Sequence, residues 1–229
     1  MRSYLHNGAL GDIIYSLPAV IAMGSGTYYT KEKFINIIGS LLEMQPYIDE
    51  VRNCTEKLPD GCVDFRGYRS FTRKEPLKHL VECHSEAIGV EVNYSDPWLF
   101  NIEPNNHIYS IVVGRSLRYH DKEDIDWGIL KHYRHYACFV GFLEEYKAFI
   151  NKIGFRIAYM HSTSGLTLAS IIKRAELFIG NQSFAWSLAE AMKVPRVLEV
   201  YHKNPDTMPC GRDGYVYLDK SLIERYTNG

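Results

Sequence analysis

A glycine turn near the start of the chain contains the first residues that could do chemistry. Gly8 and Gly11 lie between a short β-compatible segment, residues 3–7, and an apolar segment with helical spacing, residues 13–23. In an open α/β sheet such a turn faces the ligand cleft, where its glycines permit close backbone approach and the helix offers unpaired N–H groups to an anion. Asp12 ends the turn, and its carboxylate either caps the helix or takes a proton in the cleft.

A second turn of this kind is formed by Gly180, Asn181, Gln182 and Ser183, directly after an apolar segment. Ser183 is predicted to cap the following helix, whose first N–H groups could then hold a phosphate. Glu190 lies two turns into that helix, on the face that Ser183 also approaches, and two interpretations of it are open. Either its carboxylate accepts ribose hydroxyls, or it is a solvated surface glutamate. The sequence thus predicts a donor or phosphate site at this turn.

Two arginines, Arg115 and Arg118, follow the first apolar strand of the second half, so they too are expected at the cleft. Together they could clamp a pyrophosphate through charge-assisted hydrogen bonds, although arginines in such a loop also occur on ordinary protein surfaces. Metal ligands are not predicted. The histidines lack the spacing of a metal site, and the five cysteines contain no Cys-x-x-Cys pair.

Alternating strand and helix patterns supply the elements that position these turns. Strands that alternate with helices of about ten residues indicate parallel βαβ units, and strands that are apolar throughout indicate a sheet covered on both faces. The segment 101–107, which contains Pro104, has no periodicity and is predicted to be a linker. The predicted fold is therefore α/β, with two small Rossmann-like domains facing a central cleft: residues 1–104 and residues 105–229.

The remaining predicted strands are residues 27–30, 50–53, 62–65, 108–113, 137–141, 155–159, 177–180 and 196–200, and the remaining predicted helices are 31–44, 76–89, 143–153, 166–174 and 183–192. Pro18 is predicted to lie in the first turns of the helix 13–23, where its missing N–H costs least.

Composition limits the class of protein. The 229 residues are 46% apolar and 23% charged, which excludes disorder as the main state. A net charge of -1 excludes a general basic footprint for nucleic acid. No apolar run reaches the ~18 residues needed to span a bilayer, so integral membrane association is not expected. The first residues lack the apolar stretch of a signal peptide, so a cytoplasmic protein is expected.

Three stretches of the sequence resemble a known family. Residues 8–20, from Gly-Ala-Leu-Gly-Asp to Leu-Pro-Ala-Val, resemble the N-terminal signature of the ADP-heptose:lipopolysaccharide heptosyltransferases, and residues 175–195 are similar to their C-terminal donor motif. Residues 115–127 look like the family's middle segment, with a basic residue after a strand and a later aromatic. Three donor-motif positions depart from the pattern: Gln182, Phe184 and Ser187 stand where the family has Asp, Gly and His. ADP-heptose is therefore not assumed to be the donor.

The resemblance implies a GT-B architecture, with an acceptor site in the first half and a nucleotide-sugar site in the second. It implies that Asp12 is the catalytic base of an inverting, metal-independent sugar transfer, and that Arg118 or Arg115 binds the phosphates. No cofactor beyond the nucleotide-sugar is implied. The acceptor stays open among a glycan, a metabolite, a protein and a modified nucleic-acid base. Two alternatives to a glycosyltransferase are a non-catalytic nucleotide or sugar-phosphate binding module and a nucleotide-sugar hydrolase or epimerase.

Overall fold

The computed structural model describes residues 1–55, 57–72, 77–120 and 125–227, in which two parallel β-sheets are covered by helices. The first sheet contains β1 (Arg2–Leu5), β2 (Gly26–Thr30), β3 (Ile48–Asn53) and β4 (Val63–Asp64), in the spatial order β3-β2-β1-β4. The second contains β5 (Ile111–Gly114), β6 (Ala137–Val140), β7 (Ala158–Met160), β8 (Leu177–Asn181), β9 (Arg196–Glu199) and β10 (Gly214–Tyr215), in the order β10-β9-β8-β5-β6-β7.

The α-helices of the described residues are α1 (Leu10–Met23), α2 (Glu32–Glu43), α3 (Leu80–Ile88), α4 (Leu143–Ile153), α5 (Gly165–Arg174), α6 (Phe184–Met192) and α7 (Lys220–Thr227). Two 3₁₀ helices, Phe65–Ser70 and Trp127–Lys131, follow β4 and precede β6. None of the described helices is long and apolar enough to cross a bilayer.

The two sheets confirm the predicted α/β class and its two Rossmann-like units. All strand pairs are parallel, and β1, β5 and β8 are buried almost throughout, as expected for strands with helices on both faces. The predicted boundary at residue 104 lies in the long connection between α3 and β5, where residues 89–110 form no helix or strand. The division into domains at that residue stays a prediction.

Helix α1 begins three residues earlier than predicted, and this places Pro18 in the interior of the helix. A proline there leaves the carbonyl four residues earlier, that of Ile14, without its helical N–H donor. The indole Nε1–H of Trp98 donates to this oxygen at 3.0 Å. A side chain from the connection between the two sheets thus replaces the missing hydrogen bond, which explains why the proline is tolerated.

One hydrophobic cluster runs through both halves of the chain. It includes Ile14 and Leu17 of α1 as well as Ala185 and Leu188 of α6, all buried. A second cluster covers the opposite face of the second sheet. Because α1 packs on α6 and α2 packs on α5, the two sheets are held in one arrangement by buried apolar surface.

Several element boundaries differ from the predictions for local reasons. The strand predicted at 108–113 begins at Ile111, since Ile108 is 81% exposed and has no sheet partner among the described residues. The helix predicted at 76–89 begins at Leu80, because the His79 side chain caps it by accepting from Val81 N. Residue 76 itself lies outside the described residues. Strand β10 and helix α7 were not predicted.

Candidate active site

Three loops lie together between the two sheets: residues 6–9 after β1, residues 182–183 after β8 and residues 200–213 after β9. The region that they border is called the cleft here. Gly11, in the first turn of α1, packs directly on the first turn of α6. A Cβ atom on Gly11 would lie 3.7 Å from Ser187 Oγ and 3.9 Å from the Ser183 carbonyl oxygen. The N-termini of two helices therefore converge at the cleft. Their unpaired N–H groups and dipoles favour an anion there.

Asp12 lies at this convergence, at the third position of α1, with its side chain 11% exposed. Its Oδ2 accepts three hydrogen bonds: from Ala9 N at 3.2 Å, Tyr68 Oη at 2.6 Å and Arg69 Nη2 at 2.7 Å. Among the described residues, no hydrogen bond reaches Oδ1. One oxygen of the carboxylate is thus fixed in place while the other stays available to a ligand. Asp12 therefore caps the helix, as one of its two predicted roles requires. The transfer of a proton to Asp12 in the cleft stays a prediction.

Tyr68 and Arg69 are site residues that the sequence analysis missed. They belong to the 3₁₀ helix that follows β4, and β4 pairs with β1 in the sheet. The loops after two neighbouring parallel strands lie at the same sheet edge, so this pairing brings Arg69 to Asp12. The pattern Arg-Gly-Tyr-Arg directly after a strand candidate was the available signal. It could not be used without knowing that β4 lies beside β1.

A pair of buried histidines, His6 and His84, packs against the first glycine turn. His6 Nδ1 accepts from Gly8 N at 3.0 Å, and His6 Nε2 lies 2.9 Å from His84 Nε2. His84 Nδ1 lies 2.7 Å from the Leu80 carbonyl oxygen, which can only accept. This chain of bonds assigns the protons: His84 carries one on Nδ1, His6 carries one on Nε2, and both rings are neutral.

Burial agrees with that assignment. It lowers the pKa of His84 to about 4 and holds the pKa of His6 well below its ordinary value, where the neighbouring His84 acts in the same direction. Gly8 is required by this packing, because a Cβ atom there would lie 2.6 Å from His6 Cε1. The structure thus gives Gly8 a steric reason, which is contact with a buried imidazole, and its predicted role in binding a ligand stays a prediction.

A second carboxylate, Asp206, enters the cleft from the loop after β9. It is buried, and its Oδ1 accepts from Gln182 Nε2 at 2.9 Å while its Oδ2 accepts from Asn204 Nδ2 at 2.8 Å. Burial raises the pKa of Asp206 to about 6; the charge of Asp12 adds to the rise and that of Arg69 opposes it. The Asp206 carbonyl oxygen accepts from Leu80 N at 2.8 Å, which places Asp206 beside the first half of the chain. Asp206 was not predicted from the sequence.

The two predicted arginines occupy different environments. Arg115 is buried and forms a two-pronged ion pair with Glu199, with Nε–Oε2 at 2.6 Å and Nη2–Oε1 at 3.0 Å. Arg118 is exposed and lies over the ring of Tyr119 at 5.1 Å. Of the two, only Arg118 presents its guanidinium to a ligand without giving up a buried partner. The geometry therefore favours Arg118 over Arg115 as the phosphate ligand.

Three predicted donor-site residues of the second turn, Gly180, Asn181 and Ser183, make contacts within the protein that shape this turn. Asn181 is fully buried, and its side chain accepts from Ser116 N at 2.9 Å and donates to the Ser116 carbonyl oxygen at 3.1 Å. Gly180 allows β8 to approach β5, because a Cβ atom on it would lie 2.5 Å from the Gly114 carbonyl oxygen. Ser183 caps α6 as predicted, accepting from Trp186 N at 3.3 Å.

Glu190 needs a correction. It is completely buried, and its carboxylate binds Lys193 Nζ and Arg196 Nε at 2.5 Å each and Cys210 N at 3.2 Å. Neither of its oxygens is open to a ribose, and it is not a solvated glutamate either. The sequence did not show that Arg196, at the start of β9, lies beside Glu190 of α6. Buried carboxylates need such partners.

A metal site is not apparent in the part of the chain that the structure describes: no group of three or more His, Cys, Asp or Glu side chains is placed to hold an ion there.

Comparison with solved structures shows which proteins share this fold. No family model and no curated protein matches the sequence. Solved structures do match. A glycosyl transferase family 9 protein from Veillonella parvula DSM 2008 superimposes over 99% of this chain and 88% of its own, with a TM-score of 0.65 and 12% identity. The E. coli heptosyltransferase WaaC with ADP matches over 99% of this chain and 100% of its own, with a TM-score of 0.65 and 11% identity. The fold is that of these glycosyltransferases.

A third match, the iron-containing dodecameric glycosyltransferase TibC from enterotoxigenic E. coli H10407, has a TM-score of 0.57 and 15% identity. It aligns with 86% of this chain, which spans 58% of TibC. The heptosyltransferase resemblance seen in residues 8–20 and 175–195 is thus confirmed for the fold. The roles of individual site residues are not decided by these matches.

Proposed function

We propose that this protein is a glycosyltransferase that moves a sugar from a nucleotide-sugar to an acceptor hydroxyl, with Asp12 as the general base. The observation that carries the proposal is the state of the Asp12 carboxylate. It lies where the two Rossmann-like sheets meet, with Oδ2 held by three donors and Oδ1 free of hydrogen bonds from the described residues. A base must be held in position and still have an oxygen that can reach the substrate proton.

The proposed reaction uses that geometry. Asp12 Oδ1 takes the proton of the acceptor hydroxyl while the hydroxyl oxygen attacks the anomeric carbon of the donor sugar. The bond between that carbon and the diphosphate oxygen breaks, and its electron pair leaves with the nucleoside diphosphate. A single displacement of this kind inverts the configuration at the anomeric carbon. Arg69 stays paired with Oδ2 and holds the carboxylate during the transfer.

The negative charge that develops on the departing diphosphate needs stabilisation. Arg118 and the N–H groups at the start of α6, which Ser183 caps, supply positive charge and hydrogen-bond donors on the second half of the cleft. We propose that these groups do so without a metal ion. Activity that persists at full rate in excess chelator supports this part, and activity that requires an added divalent cation contradicts it.

Ligands of the structural neighbours support a nucleotide-sugar donor. WaaC was solved with ADP and with ADP-2-deoxy-2-fluoro heptose, and TibC with ADP-D-beta-D-heptose. The proposed donor is therefore a sugar on a nucleoside diphosphate. Gln182, Phe184 and Ser187 differ from the heptosyltransferase pattern around this site, so the donor panel must extend beyond ADP-sugars.

A thermal-shift screen against ADP, UDP, GDP and their common sugars tests the donor. A ligand at about 100 times its Kd stabilises the folded state by about 2.7 kcal/mol, which raises the melting temperature of a chain of this size by several degrees. Arg118→Ala is expected to abolish the shift of the best ligand. Arg174→Ala, which removes an exposed arginine at the opposite end of the second half, is expected to leave it unchanged. A folded wild-type protein that responds to none of these ligands overturns the proposal.

A non-catalytic nucleotide-binding module is the second candidate. It is favoured by the finding that Arg115, Asn181 and Glu190 are engaged in internal contacts, which leaves fewer residues for a donor. This candidate predicts that a nucleotide-sugar binds without release of nucleoside diphosphate in the presence of any acceptor. Release that depends on Asp12 excludes it.

A further inference from the structure

Asp206 and Gln182 form a hydrogen-bonded polar unit in which one buried acceptor atom has no donor. The amide nitrogen of Gln182 donates to two acceptors, the Asn204 carbonyl oxygen and Asp206 Oδ1, each at 2.9 Å. Both partners can only accept, so the orientation of the Gln182 amide is fixed. Its oxygen then points away from them, and it is buried with no hydrogen-bond partner among the described residues.

An orphaned buried acceptor of this kind is costly unless a ligand or water supplies a donor. Gln182 is 6% exposed and Asp206 is 7% exposed, so neither group is solvated as a surface side chain would be. The Asp206 carboxylate accepts from two neutral side-chain amides, those of Gln182 and Asn204, and from its own backbone N–H, and no ion pair of the described residues includes it. Burial accordingly raises the pKa of Asp206. The unit therefore has spare acceptor capacity at one place.

The position of the unit indicates which part of a ligand would meet it. Gln182 directly precedes Ser183, which caps the helix assigned above to the diphosphate. Across the cleft, Gly11, the neighbour of Asp12, packs on Ser183, because a Cβ atom on Gly11 would lie 3.9 Å from the Ser183 carbonyl oxygen. A group attached to the diphosphate and presented to Asp12 would therefore pass Asp206. In a nucleotide-sugar, that group is the sugar.

The chemistry of the unit selects the same part of the ligand. A carboxylate and an amide oxygen repel a phosphate but accept hydrogen bonds from hydroxyl groups. We propose that Asp206 and Gln182 bind hydroxyl groups of the donor sugar, with one hydroxyl donating to the Asp206 carboxylate and another to Gln182 Oε1. This inference rests on the proposed function and extends it, because it names two residues that bind the donor sugar. One of them, Gln182, differs from the residue at that position in the related motif.

The experiment measures how much the sugar contributes to binding. Isothermal titration gives the Kd of the wild-type protein for ADP, UDP and GDP and for ADP-heptose, UDP-glucose and GDP-mannose, and the pair that binds most tightly is then used with the variants. Asp206→Asn keeps the size of the side chain and removes its charge. It is expected to weaken the nucleotide-sugar by about 10- to 100-fold, the usual loss for a hydrogen bond to a charged group, while the nucleoside diphosphate changes by less than about twofold.

Gln182→Met gives a second, independent test, because it removes the amide at nearly constant length. It is expected to weaken the nucleotide-sugar selectively in the same way. Asp49→Asn is the matched control: it makes the same chemical change at an exposed position of β3, and it should alter neither Kd. Retained binding of the nucleoside diphosphate by each variant shows that the site is folded.

The outcomes separate this inference from the proposed function. A wild-type protein that binds neither member of any pair overturns both. A wild-type protein that binds the pair, with Asp206→Asn and Gln182→Met weakening sugar and sugar-free nucleotide equally or not at all, overturns the sugar-binding role alone. A selective loss for the nucleotide-sugar in both variants supports it.

Discussion

The neutral state of His84 makes a quantitative prediction about the dependence of stability on pH. An unfolded histidine has a pKa of about 6.5, whereas that of buried His84 is about 4. Between these values the unfolded chain binds a proton that the folded chain does not, so the free energy of unfolding falls as the pH falls. At pH 5.0 this difference amounts to about 2 kcal/mol, and at pH 7.5 it is close to zero.

Other buried groups titrate in the same range, so the wild-type curve alone cannot test this. The pKa values of His6 and His79 are also lowered by burial, and both add to the loss of stability in acid. Asp206 acts in the opposite direction, because its pKa of about 6 lies above its unfolded value, so the folded chain takes up its proton first as the pH falls. A comparison of two proteins that differ only at residue 84 cancels the contributions of His79 and Asp206. His6 loses the neighbour that helps to lower its pKa, which reduces the acid loss of the variant and so adds to the difference in the same direction.

His84→Gln provides that comparison. Glutamine can donate to the Leu80 carbonyl oxygen and accept from His6, but it does not titrate. Urea unfolding at pH 7.5 and pH 5.0 should show that the wild-type protein loses about 2 kcal/mol more than the variant between these conditions. The exposed His132→Gln change should leave the wild-type loss unaltered. Equal losses in the wild-type protein and in His84→Gln would refute the assignment of a neutral, buried His84.

Three further predictions concern the packing that holds the site. Gly8→Ala places a Cβ atom 2.6 Å from His6 Cε1 and should destabilise the fold by about 1–3 kcal/mol, whereas Gly11→Ala meets only ordinary contacts and should change it far less; urea unfolding of both variants gives the comparison. Glu190→Gln leaves the buried Arg196 without its carboxylate and should cost about 3–5 kcal/mol in the same assay, and a loss below 1 kcal/mol would contradict the ion pair. Trp98→Phe removes the hydrogen bond to the Ile14 carbonyl oxygen and should cost about 1–3 kcal/mol, and adding Pro18→Ala should recover part of that loss by restoring the helical N–H; no recovery would show that the two residues are not coupled.

Periodicity and turn chemistry were sufficient to predict the fold from the sequence. The apolar strand segments and the helices between them led to the parallel α/β class, and helix 143–153 has the same bounds in the structure. Gly8 and Ser183 were placed correctly at strand-to-helix turns because these residue types have local conformational reasons to be there, whereas Gly11 lies in the first turn of α1. Local reasons of this kind are readable from one sequence.

Contacts between distant segments were not readable. Arg69 reaches Asp12 because β4 pairs with β1, and Asp206 reaches Gln182 because the loop after β9 folds back over β8. The burial of Glu190 and Arg115 likewise depends on partners in β9, Arg196 and Glu199, whose positions follow from strand order. Strand order is a property of the whole chain, so the identities of isolated polar residues could not reveal these pairs.

The central claim, that Asp12 is the base of a sugar transfer, is tested most directly by Asp12→Asn. The protein is incubated with its best nucleotide-sugar, carrying an isotopically labelled sugar, and with a mixture of glycan, metabolite, protein and nucleic-acid acceptors. Both the label leaving the nucleotide and the released nucleoside diphosphate are measured, and Asp49→Asn serves as the control. We expect Asp12→Asn to bind the donor with a Kd within about twofold of the wild-type protein and to transfer the sugar at least about 100-fold more slowly. Transfer at the wild-type rate by a folded Asp12→Asn protein would contradict the claim.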